Sequence, residues 1–69
     1  MHSEEESYRG TLQVRDVNDE LHTVIVTRRR LGPNSRVWLT VNGAWKTTLQ
    51  MTNSEATRLA ELITEARGI

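Results

Sequence analysis

The sequence predicts an α+β domain of ββββα order, a four-stranded antiparallel sheet with one C-terminal helix packed on one face. Three observations predict it. Apolar residues alternate with a period of two from Tyr8 to Met51, turn signals cut that stretch at 17–20, 32–35 and 42–43, and helical spacing takes over after Thr52.

Residues 1–6 (Met-His-Ser-Glu-Glu-Glu) are polar and aperiodic, which reads as a disordered acidic leader ahead of one domain, 7–69. In the first strand Tyr8, Leu12 and Val14 point one way, and Arg9, Thr11, Gln13 and Arg15 the other. Val17-Asn18-Asp19-Glu20 is turn chemistry. The second strand, Leu21 to Arg29, turns Val24 and Val26 to the core and leaves Thr23, Ile25, Thr27 and Arg29 outside. Gly32-Pro33-Asn34-Ser35 breaks the chain, and a third strand sends Val37, Leu39 and Val41 inward.

The loop at Asn42-Gly43 decides which residues of the fourth strand share that face. A two-residue type I′ turn would set Lys46 and Gln50 among the core valines. A three-residue loop with Gly43 in the left-handed bulge position instead pairs Leu39 with Trp45. It unites Val37, Leu39, Val41, Trp45, Leu49 and Met51 inside, with Trp45 as a core anchor under the helix. Thr52 and Glu55 then form a capping box. Ala56, Leu59, Ala60, Ile63 and Ala66 make the apolar stripe of the helix, which Gly68 closes.

In this register one sheet face carries only positive charge, from Arg9, Arg15, Arg29, Arg36 and Lys46 around Trp38, with Arg28 and Arg30 at the rim. Arg28-Arg29-Arg30 reads either as a solubilising edge or as an anion contact. Arg29 lies across from Arg36, and like charges in that position favour an anion between them. Trp38 has two readings as well, a platform for an unpaired base or a protein-binding hot spot.

Sixty-nine residues bury a small core, so a partner or a homodimer is expected on that ground alone. The absence of cysteine removes disulfides and thiolate metal sites as compensation. There is no apolar run of membrane length, no signal peptide and no Asn-x-Ser/Thr acceptor, which makes the cytoplasm the default compartment and a membrane partner unexpected. Arginine outnumbers lysine eight to one, a bias that GC-rich codons explain more cheaply than anion binding, since Arg58 and Arg67 share it off the sheet face.

Chemistry-bearing motifs are missing. With one lysine and two histidines, His2 and His22, the chain offers no nucleophile beside a base, so no enzyme is expected. Asp16, Asp19, Glu20 and His22 gather at a turn in a spacing that matches no metal-ligand pattern. Gly32 and Gly43 stand alone, and no cofactor is implied.

The strand, cap and helix of Leu-Gln-Met-Thr-Asn-Ser-Glu-Ala-Thr-Arg-Leu-Ala-Glu-Leu-Ile, residues 49–63, in a ββββα order spanning residues 8–67, resemble the single-strand-binding domain of positive cofactor four. Purine-rich-element-binding domains and Whirly proteins are similar in element order. The resemblance implies a dimer whose curved sheets hold single-stranded nucleic acid with basic and aromatic side chains. The lysine- and glycine-rich stretch of that family before its helix is reduced here to Lys46. The segment from His22 to Ala66 also looks like the three-stranded domains of Apetala-type factors and integrase arm-binding domains, which enter duplex DNA. The expected function is nucleic-acid binding on the open sheet face, single strand before duplex. Arg9, Arg15, Arg29, Arg36 and Lys46 would meet phosphates, Trp38 would stack, and Thr27, Thr40 and Thr48 would supply hydroxyls. The alternative is a protein-interaction module, regulatory or phage-type, anchored by Trp38 and Ile25.

Overall fold

The computed structural model describes residues 4–31, 34–43 and 45–68. Four antiparallel strands, β1 (Glu4–Arg15), β2 (Leu21–Leu31), β3 (Asn34–Asn42) and β4 (Lys46–Met51), lie side by side in sequence order, followed by helix α1 (Asn53–Ala66). Among the described residues no helix is long and apolar enough to cross a membrane. The ββββα order is the one the sequence predicts, but β1 begins at Glu4. The polar leader is therefore strand from that residue on, because its backbone pairs with the far end of β2, Glu4 with Leu31 and Glu6 with Arg29. Residues 1–3 fall outside the described range.

The β1–β2 turn is built by one carboxylate. Asp16 Oδ1 accepts from the amides of Asn18 at 2.8 Å and Glu20 at 2.9 Å, and Asp19 takes the left-handed conformation with φ 66°. Short polar side chains tolerate that conformation best among non-glycine residues.

At the β3–β4 turn the expected pairing needs correction. Leu39 pairs with Leu49 and Asn42 with Lys46, so the loop is residues 43–45 and Trp45 lies within it, 83% exposed. Trp45 is not a core anchor. Because the pairing moves by an even number of residues, the faces survive: Leu49 and Met51 still share a side with Leu39 and Val37. Gly43 is not in the left-handed region. Its role is close approach, since a Cβ there would overlap the ring of His22.

Helix α1 starts as the capping box requires. Thr52 Oγ1 accepts from the Glu55 amide at 3.1 Å, and Glu55 Oε1 accepts from the Thr52 amide at 2.9 Å. The Gly68 amide donates to Glu65 O with φ 84°, closing the last turn. Replacing Thr52 by Ala is expected to cost about 1 kcal/mol and lower the melting temperature by roughly 4–8 °C, measured by circular dichroism.

The helix meets only β3 and β4, and none of its residues is buried; Leu62 and Ile63 stay exposed. Packing of the helix on the sheet is thus much lighter than the apolar stripe predicts. Among the described residues no apolar side chain is buried, and Val24, Val26, Leu39 and Val41 are half-buried. The radius of gyration of 13.7 Å exceeds the roughly 11 Å that the chain-length scaling gives for a compact domain of this size.

Candidate nucleic-acid interface

Strand alternation places side chains of one sheet face in cross-strand rows. The first holds Glu6, Arg29 and Arg36, the second Arg9, Thr27, Trp38 and Gln50, the third Thr11, Ile25, Thr40 and Thr48, and the fourth Gln13, Thr23, Asn42 and Lys46. The rows frame a groove of about 180 Å³ lined by Arg9, Thr27, Arg29, Trp38, Lys46 and Thr48, among others. Its floor is Thr27, 4% exposed. Thr40 and Thr48 share a hydroxyl hydrogen bond of 3.0 Å across β3 and β4.

Four of the expected basic residues, Arg9, Arg29, Arg36 and Lys46, come together with Trp38 on this face. Three do not. Arg28 pairs with Val37 and so belongs to the opposite, apolar face, and Arg30 follows the same parity. They are not the rim of the basic face, because adjacent residues of a strand point to opposite sides. Arg15 keeps the right parity, but sits six residues from Arg9, about 20 Å along the strand. There it donates to Asp19 O at 2.9 Å and lies 3.7 Å from the Asp19 carboxylate, serving the turn.

One acid enters the face that was expected to be purely basic. Glu6 accepts two hydrogen bonds of 3.0 Å from Arg9 and lies 3.3 Å from Arg29. The Arg29–Arg36 pairing holds, yet a carboxylate of the chain itself sits beside Arg29. Counting alternate residues back from Arg9 could not find Glu6, because the register shifts between Glu6 and Tyr8 and one extra residue changes which way a side chain points. Arg29 also places its guanidinium 4.6 Å from the centre of the Trp38 ring, a cation–π contact that covers part of the aromatic surface.

The Arg9 hydrogen bonds hold the Glu6 carboxyl below its usual 4.5, and the same contact raises Arg9. Asp16 is also held below its usual 3.8, first by the Glu20 amide and then by His22, whose Nε2 lies 2.8 Å from Asp16 Oδ2. Both carboxylates are depressed in the folded state. Their contribution to stability is complete above the unfolded values of 4.5 and 3.8 and is lost as pH falls through the depressed ones. An acid titration followed by circular dichroism is expected to show that loss, delayed to lower pH than for ordinary carboxylates. A curve flat through that range would contradict it.

Among the described residues no three His, Asp or Glu side chains converge as a metal site. No protein-family model, no curated protein and no solved structure matches the chain.

Proposed function

We propose that the protein binds single-stranded nucleic acid along the basic face, with Arg9, Arg29, Arg36 and Lys46 on the phosphates and Trp38 beside a base. The observation that carries this reading is the Glu6 carboxylate between Arg9 and Arg29, next to an arginine-covered tryptophan in a groove with threonine hydroxyls. Two guanidiniums already hold one anion there, and a phosphate offers them the same acceptor geometry with more charge. The groove takes its lining from all four strands, Arg9 on β1 to Lys46 and Thr48 on β4, which suits a strand that lies across the sheet. A binding role rather than an enzymatic one, in a cytoplasmic setting, belongs to the same proposal, and so does the likeness to single-strand-binding domains.

A titration of fluorescent oligonucleotide by anisotropy tests it. With four cationic contacts, log affinity is expected to fall with log salt at a slope near −2.8, taking about 0.7 per contact. Glu6→Gln is expected to tighten binding several-fold, because phosphate no longer competes with a resident carboxylate. No binding to single-stranded DNA, RNA or duplex at low salt, by a folded protein, would leave the protein-interaction reading, in which Trp38 and Ile25 anchor a partner.

A further inference from the structure

The β1–β2 half of the apolar face has no helix over it in a lone chain. Leu12, Val24, Val26, Leu39, Val41 and Leu49 share one side of the sheet, with Leu12 63% and Leu49 51% exposed, and the helix reaches only β3 and β4. The only buried residue among those described is Thr27, on the opposite face. The chain exposes 5717 Å², against roughly 4,400 Å² expected from size scaling for a compact monomer of its 7.9 kDa. That excess is larger than the about 800 Å² per partner that a standard stable interface covers.

We infer that two copies of this chain pack their apolar faces together around a two-fold axis, and that folding is completed by this dimerisation. An apolar layer left only half-buried must find a second layer, and sheets that stack where no helix intervenes lie about 10 Å apart around a shared core. The occupant is a second copy rather than a foreign protein for a physical reason. A chain whose own core is this thin needs its partner as it folds, and another copy is the partner always present.

The charge layout fits a self-complementary patch. The central rows, Leu12 with Val24 and Val41, and Val26 with Leu39 and Leu49, carry no charge. Arg28 and Arg30 lie beyond them toward one end of the sheet, where a two-fold axis through the centre leaves them at the periphery. Each basic groove would then face outward on opposite sides of the dimer. The inference concerns the other face from the proposed nucleic-acid site and stands without it.

Sedimentation equilibrium and thermal melting without nucleic acid, from about 1 to about 100 µM, test the inference. The expected results are a two-chain mass and a melting temperature that rises with concentration. Leu12→Glu places a charge where a lone chain is already open to water, so a monomer would hardly notice it. In the dimer it is expected to abolish the two-chain mass and lower the melting temperature at fixed concentration. Thr11→Glu, its neighbour on the opposite face, is expected to change neither. A one-chain mass at every concentration overturns the inference, whether the chain is folded or not. An assembly that survives Leu12→Glu, or that Thr11→Glu disrupts equally, overturns it too.

Discussion

Reversing Arg29 and Arg36 together to glutamate is expected to reduce oligonucleotide affinity at least about 100-fold at low salt, because two of four phosphate contacts become repulsions. These residues are cross-strand partners and share a row with Glu6, so the change converts a mixed cluster into three acids side by side. Affinity loss should come with a shallower salt slope in what binding remains. Trp38→Ala is expected to act differently, weakening binding by roughly 1–3 kcal/mol while leaving the slope nearly unchanged, since stacking releases no counterions. Anisotropy titrations at several salt concentrations, with circular dichroism to verify the fold, separate the two effects. If the double reversal binds as tightly as the parent, the basic face is not the site. The interaction-module alternative predicts instead that Trp38→Ala breaks a protein complex and that none of these variants changes nucleic-acid binding.

The largest effect on stability is expected at Gly43. Its Cα approaches the His22 ring so closely that any side chain must push the imidazole away, and with it the His22 Nε2 contact to Asp16. Gly43→Ala is expected to cost about 2 kcal/mol, the range for forced repacking, and to lower the melting temperature of so small a domain by roughly 8–16 °C. The mechanism has a separate readout. Because His22 is one of the groups that depress Asp16, displacing the ring should move the Asp16 carboxyl back toward its ordinary value, visible by NMR titration. Pairing Gly43→Ala with His22→Ala should cost less than the sum of the single changes, since the clash has then been removed. Strict additivity would mean that the two residues do not compete for the same space.

Thr52 and Glu55 announced the helix start, because both partners of a capping box are local in sequence and neither depends on what the helix packs against. Strand alternation likewise determined by itself that Trp38 shares a face with Thr27, Arg29 and Arg36, and that Leu39 lies opposite them. The same rule, carried through the chain, places Arg28 and Arg30 on the apolar side; reading them as a rim treated a run of charge as if it had one direction.

Where Trp45 falls was decided only in the folded chain. Pairings that differ by an even number of residues keep the same faces, so the apolar pattern could not distinguish Leu39 opposite Trp45 from Leu39 opposite Leu49. Glu6 entered the basic face through an extra residue at Ser7, a local shift that a pattern of alternation does not encode. The reach of the helix was also a tertiary outcome. An amphipathic stripe specifies that Leu59 and Ile63 seek apolar cover, but not how much of the sheet one short helix spans; here it meets β3 and β4 and leaves the β1–β2 half open. Sequence thus determined the elements and most of their faces, which depend on local geometry and period. The tertiary structure alone decided which faces are covered, because burial depends on where elements from distant parts of the chain come to rest.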